Sequence, residues 1–155
     1  MNRLHPRIRL IWIGRSVLTA AVLAGVAFGV GRFLDPPWLP TWTPAAVFGV
    51  LATLGVTFAV LRYRSWRYEV REDSLYLERG VLTHVRTVVP FVRIQHVDTA
   101  RSPIQRLVGL ASTVVYTAGS RGADVSVPGL DVGDADDLRE RLKRLAIRSE
   151  GDDAV

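Results

Sequence analysis

His84, His96 and Asp98 are the residues of this chain that could do acid–base or metal chemistry together. An imidazole titrates near neutral pH and ligates metals, and residues i and i+2 on a strand share a face, so His96 and Asp98 could join His84 in one site. Two histidines on an ordinary strand surface explain the same facts more simply, and His5 lies apart in an N-terminal arm. The stretch Gly119-Ser120-Arg121-Gly122 is superficially like a nucleophile elbow, but its spacing is not G-x-S-x-G and no helix follows it; it reads as a hairpin turn. No phosphate-cradling glycine loop precedes a helix. With no cysteine in 155 residues there is no thiolate nucleophile, disulfide, Cys-ligated zinc or iron–sulfur cluster. The expectation is a protein that is not an enzyme, with no cofactor and no metal.

Arginine is the other chemically distinctive residue, since every basic side chain except Lys143 is an arginine. Arg86, Arg93, Arg101 and Arg106 are candidates for a surface that takes an anionic headgroup or an acidic partner segment through the planar guanidinium fork. A structural role competes for Arg93 and Arg106, which could hold a strand-to-turn junction by bonding backbone carbonyls or Asp98. Charge is unevenly divided: residues 62–123 carry ten arginines against five acids, residues 124–155 five basic against nine acidic residues. The strand region is therefore expected to face an anionic membrane surface, and the tail to point away. Nucleic acid is a poor partner, because the net charge is only +5, half of that excess flanks apolar segments, and no basic run is interleaved with aromatics.

Those apolar segments determine where the chemistry can sit. A mean hydropathy of +0.18 beside 23% charged residues means that apolar and polar residues are segregated along the chain. Residues 16–31 and 45–61 are uncharged runs of 16 and 17 residues. A bilayer core of roughly 30 Å needs about 20 residues of helix, and Phe33 and Leu34 beyond Arg32, and Trp42 to Pro44 before the second run, supply the difference. Two transmembrane helices, residues 16–34 and 45–61, are expected, joined by a Pro/Trp-rich turn over 35–44 in which Trp38 and Trp42 anchor at the headgroup level. Arg3, Arg7, Arg9 and Arg15 before the first span, with the membrane-proximal Arg62, Arg64 and Arg67 after the second, outweigh Arg32 in the turn. Both termini should be cytoplasmic. A signal peptide competes for the N-terminus, but the run ends without a small-x-small cleavage signal and a second span follows at once. Small residues at Ala21-x-x-x-Gly25-x-x-x-Gly29 and Ala45-x-x-x-Gly49-x-x-x-Thr53 suggest close packing within the hairpin in preference to dimerisation.

After residue 61 the pattern alternates with period two, predicting half-buried strands: Trp66, Tyr68 and Val70, then Leu75 and Leu77, then residues 81–89 up to Pro90, then 91–98 with Val92 and Ile94 on one side. Residues 101–109 read as a capped helical turn closed by Gly109, followed by strands over 110–118 and 123–127. Six or seven such strands in one sheet curl into a barrel or a strongly bent sheet. A helix follows, with Asp134 as N-cap and Leu138, Leu142 and Leu145 as the stripe that covers the sheet. Residues 149–155 read as an acidic flexible tail, and residues 1–15 as a basic cytoplasmic arm.

The order of motifs Arg67-Tyr68, Leu75-x-Leu77-x-Arg79-Gly80-Val81-Leu82, Val89-Pro90-x-x-Arg93-Ile94-Gln95-His96-Val97, Pro103-Ile104-Gln105-Arg106-x-x-Gly109-Leu110 and Tyr116-Thr117-Ala118-Gly119 resembles the bacterial PH-domain membrane proteins. The resemblance is close over 62–147, and the N-terminal hairpin matches in arrangement. It implies a membrane-anchored α+β protein: a two-helix transmembrane hairpin, then over 62–148 a cytoplasmic PH-like bent antiparallel sheet or barrel capped by one C-terminal helix, in the inner membrane of a bacterium or archaeon. With no catalytic constellation, the expected role is to bind a protein partner in the same membrane, as a scaffold or assembly factor. The alternative is an anionic-lipid-sensing module built on the arginine-rich strand region. The sequence leaves the oligomeric state open.

Overall fold

The two apolar runs fold as long helices, α1 (Arg7–Leu34) and α2 (Thr43–Ser65), of 28 and 23 residues. At 1.5 Å per residue they measure about 42 and 34 Å, more than a bilayer core of roughly 30 Å. Both are long and apolar enough to cross a membrane, with mean hydropathy 1.9 and 2.1 over the best window. This computed structural model describes residues 1–34, 40–118 and 124–152; Trp38 and the turn over 119–122 lie outside them. Trp42, which precedes α2, is 65% exposed.

The chain divides into two compact units, residues 9–64, and residues 1–8 together with 65–155. In the helical unit the small-residue pattern read from the sequence is not what packs. A Cβ added at Gly25, Gly29 or Gly49 would meet nothing within 4 Å, whereas at Gly55 it would stand 2.8 Å from the Cβ of Ser16. Ala20 and Ala59 are buried, 1% and 3% exposed. The helices thus meet through Ser16, Ala20, Gly55 and Ala59, offset from the expected stripe by a rotation that spacing alone does not fix.

Among its described residues the second unit carries six strands: β1 (Arg67–Val70), β2 (Ser74–Arg79), β3 (Val85–Pro90), β4 (Ile94–Ala100), β5 (Leu110–Thr117) and β6 (Val125–Asp131). They form two antiparallel three-stranded sheets, β1-β2-β3 and β4-β5-β6, and not one continuous sheet. The break falls at Pro90, which cannot donate to a ladder, followed by a 3-10 turn over Phe91–Arg93. This turn replaces the start of the strand expected over 91–98, so Phe91 is buried, 2% exposed, and Val92 is out, 47% exposed. The strand expected from Val81 begins at Val85, because Gly80 at φ +115° turns the chain and a bend occupies 81–83.

Between β4 and β5, α3 (Pro103–Leu107) is a single capped turn. Ser102 accepts from the Gln105 N–H at 3.2 Å, and the Gln105 side chain accepts from the Ser102 N–H at 3.0 Å, a complete capping box with Pro103 opening the helix. Gly109 closes it at φ +70°. The terminal helix α4 (Val132–Asp152) starts two residues before Asp134, which sits in its first turn and is not the N-cap, and it runs through 149–152 into the segment read as tail. Its stripe, Ala135, Leu138 and Leu142, is buried, and the helix packs against the 3-10 turn and the second sheet, β4, β5 and β6. The Thr113 hydroxyl, fully buried, donates to the Ala135 carbonyl at 3.2 Å, and Thr99 donates to Asp136 at 3.1 Å, fixing α4 on the second sheet.

Residues 1–8 complete this core. Asn2 and Tyr68 exchange backbone bonds of 2.7 and 3.0 Å, the His5 N–H donates to the Gly129 carbonyl at 2.7 Å, and Leu4 and Ile8 are each 2% exposed. The sequence offered these residues only as a basic arm; their apolar side chains belong to the folded domain.

Candidate functional site

A strand at the margin of a sheet presents alternate N–H and C=O groups to whatever lies beside it. In the second sheet β4 pairs with β5 alone. Its other side borders a cleft of about 500 Å³ lined by Ile94, Gln95, His96 and Val97 of β4 and by Arg139, Glu140, Lys143, Ala146 and Ile147 of α4. Successive strand side chains point to opposite faces, so a cleft lined by four consecutive residues runs along the strand's margin as well as one face. Register with β5 shifts between Ile94 and His96, a bulge that leaves Gln95 unpaired with β5.

The chemistry of the walls is mixed. Ile147, 59% exposed, with Ala146 gives an apolar floor one turn beyond the basic pair Arg139 and Lys143. Arg139 approaches its neighbour Glu140 at 3.7 Å with both side chains well exposed, a weak contact in water. His96 stacks on Tyr116 with ring centroids 4.1 Å apart and an 18° interplanar angle, and its Nε2 is 3.9 Å from Asp98 Oδ2. His84 lies in the loop before β3, on the other sheet, so the three residues with potential acid–base chemistry are not assembled. Among the described residues no group of three His, Asp or Glu side chains is placed to hold a metal.

The four candidate arginines lie on different elements. Arg86 on β3 is bonded at 2.8 Å to Glu78, whose carboxyl is held below the usual range by the Tyr76 hydroxyl first and Arg86 next. Arg101 donates to the Leu110 carbonyl at 3.4 Å. Arg93 ends the 3-10 turn beside the cleft and Arg106 sits on α3; both are exposed and neither forms an ion pair among the described residues. The junction role considered for Arg93 and Arg106 is instead filled by Arg101 and by Arg7, which donates to the Val108 carbonyl at 3.4 Å. Gln105 reaches the hydroxyl of the buried Ser112 at 2.8 Å, tying α3 to β5. Of the membrane-proximal set, Arg67 is on β1, while Arg62 and Arg64 end α2, the Arg62 guanidinium 4.5 Å from the Trp12 ring centroid.

A family model described as bacterial PH domain matches residues 10–146, hairpin and sheets together. The chain belongs to the bacterial PH domain family. This bacterial PH domain protein is 31% identical over 150 residues to UPF0699 transmembrane protein YdbS of Bacillus subtilis (strain 168), covering 94% of this chain and 92% of that one. It is 24% identical over 153 residues to UPF0699 transmembrane protein YdbT of the same organism, covering 97% of this chain but 31% of that longer one. No solved structure matches it. Fold, family and membrane location agree with the expectation from sequence: two apolar helices precede two antiparallel sheets and a terminal helix.

Of the cleft's lining residues only His96 was singled out from sequence, although Gln95, His96 and Val97 all fall within the family motif. Its other wall comes from α4, some forty residues later, and only the packing of α4 beside β4 brings Lys143 and Ile147 to that strand.

Proposed function

We propose that this bacterial PH domain protein is a non-catalytic protein of the cytoplasmic membrane, both termini cytoplasmic, whose PH-like domain holds a segment of a partner membrane protein and so works as a scaffold or assembly factor. The observation that carries this reading is the β4–α4 cleft. An extended segment laid along β4 would gain main-chain hydrogen bonds from the strand's open side, and alternate side chains would face α4. Ala146 and Ile147 suit an apolar side chain, while Arg139, Lys143 and the nearby Arg93 suit acidic neighbours.

Native isolation of the full-length protein with its surrounding lipid in polymer discs tests this. A stoichiometric membrane-protein partner is expected, lost in the Arg139→Glu/Lys143→Glu variant; recovery with no stoichiometric protein contradicts the proposal. A second reading, anionic-lipid sensing by the strand region, draws support from the exposure of Arg93 and Arg106. It requires Arg93→Glu/Arg106→Glu to reduce salt-sensitive attraction to anionic lipid, and an unaltered variant contradicts it.

A further inference from the structure

The helical turn α3 is amphipathic in the opposite sense to an element that packs on its own domain. Gln105, a polar residue, turns inward to the buried Ser112, while Ile104 and Leu107 are 57% and 86% exposed. Three positions apart on one helical turn, these two apolar side chains share a face. The backbone holds them there: the Ser102–Gln105 capping box closes one end, and Gly109 at φ +70° leads at the other into Leu110, which is fully buried. Single exposed apolar residues are ordinary, but a pair held outward by a polar residue facing inward marks a contact outside the domain.

Charge and chain connection decide what that contact is. From Thr99 to Ala118 the chain carries Arg101 and Arg106 and no acidic residue, which suits an anionic surface. Arg106, between the two apolar residues in sequence, is exposed and long enough to reach phosphate while its stem lies in apolar surroundings. Where the turn ends, the Arg7 guanidinium donates to the Val108 carbonyl at 3.4 Å, and Arg7 is the first residue of α1. From Arg7 to Ser16, where the uncharged run of α1 begins, is about 14 Å of helix. The polar layer of a leaflet is itself roughly 5–7 Å deep, so the chain tethers α3 within reach of the bilayer surface.

We propose that α3 is a further membrane contact of this protein: Ile104 and Leu107 enter the interfacial layer of the leaflet that α1 enters, with Arg101 and Arg106 at its anionic phosphates. A docked protein would have to offer a cavity matched to a tip of two projecting side chains, whereas fluid lipid closes around such a tip whatever its shape. The contact uses none of the residues lining the β4–α4 cleft and requires no preference among headgroups, so it stands or falls separately from partner binding and from lipid sensing.

The chain has no cysteine, so Ile104→Cys, Leu107→Cys and Leu82→Cys can each carry a single nitroxide label. Power-saturation electron paramagnetic resonance of the full-length protein in lipid discs of phosphatidylglycerol and phosphatidylcholine compares collision with oxygen, which concentrates in the bilayer, and with a water-soluble nickel chelate. Labels at 104 and 107 should favour oxygen, at a depth of about 5–10 Å; the label at 82, a position 90% exposed in the bend before β3, should favour nickel. In Ile104→Glu the label at 107 should lose its oxygen preference. Equal behaviour of the labels at 82 and 107 overturns the proposal, and so does an oxygen preference at 107 retained in full in Ile104→Glu. Exclusion of both agents from 107 also overturns it, since protein, a second copy included, would then cover the turn.

Discussion

The side chain of Ile8 rests on the bare Cα of Gly129: a Cβ added to Gly129 would stand 2.5 Å from the Cβ of Ile8, and Gly129 holds φ +65°. Two demands meet at one position, a left-handed backbone and a close approach that only a missing side chain permits. Gly129→Ala should therefore destabilise the domain by about 2–4 kcal/mol, combining backbone strain with overpacking. Ile8→Ala should cost about 2–5 kcal/mol, as expected for a fully buried aliphatic side chain. Thermal unfolding in detergent, followed by intrinsic fluorescence with Trp66 in the core, checks both.

The same relationship predicts how the domain responds to excision. A fragment beginning at Ser65 lacks Leu4 and Ile8, each 2% exposed, and the Asn2–Tyr68 and His5–Gly129 backbone bonds. Burying two such side chains is worth about 3–6 kcal/mol, a large share of the stability of a small domain. The fragment should be molten or aggregation-prone, and fusing residues 1–8 to it through a flexible linker should restore cooperative unfolding.

Acid should weaken the first sheet in a defined window. Glu69 is held below the ordinary glutamate value chiefly by its bond from Arg71 and then by the N-terminal ammonium 3.4 Å away, and Glu78 chiefly by the Tyr76 hydroxyl and then by Arg86. A carboxyl depressed in the folded state contributes stability that is present above its unfolded value of about 4.3 and is lost as pH falls through the folded value. Both groups are at the surface, so the effect is small. Melting temperature followed downward from neutral pH should drop through this window, with a shallower slope in Glu69→Gln/Glu78→Gln.

Gln105 should prove structural although it lies in the most characteristic stretch of the family motif. It closes the capping box with Ser102 and reaches Ser112 at 2.8 Å. Gln105→Ala should cost about 1–2 kcal/mol by removing the reciprocal half of the capping box and one partly buried hydrogen bond. Partner recovery in polymer discs at a temperature where the variant is folded should be unchanged.

The sequence carried the hairpin, the strands and the final helix because each is written in a local period: continuous apolar runs, alternation around Leu75 and Leu77, and the Leu138–Leu142 stripe. It did not carry the division into two sheets, which turns on the missing N–H of Pro90 and the direction taken by Phe91–Arg93. Nor did it carry the docking of Leu4 and Ile8, because two apolar residues among arginines have no period to display. For the sites the limit is similar. Gln95 and Lys143 come to line one cleft only through the packing of α4 beside β4, while Arg86 looked available until the register placed it opposite Glu78.

Site-specific photocrosslinking in intact membranes tests whether the β4–α4 cleft is the partner-binding surface. A photoreactive residue replaces Gln95 or Ile147 in the cleft, or Leu82, 90% exposed in the bend before β3, as comparator. One discrete adduct is expected from both cleft positions and not from Leu82, mapping to an extended, acidic segment of a single membrane protein and abolished by Arg139→Glu/Lys143→Glu. Adducts equally abundant from Leu82, or none from Gln95 and Ile147 in a correctly inserted protein, would contradict it.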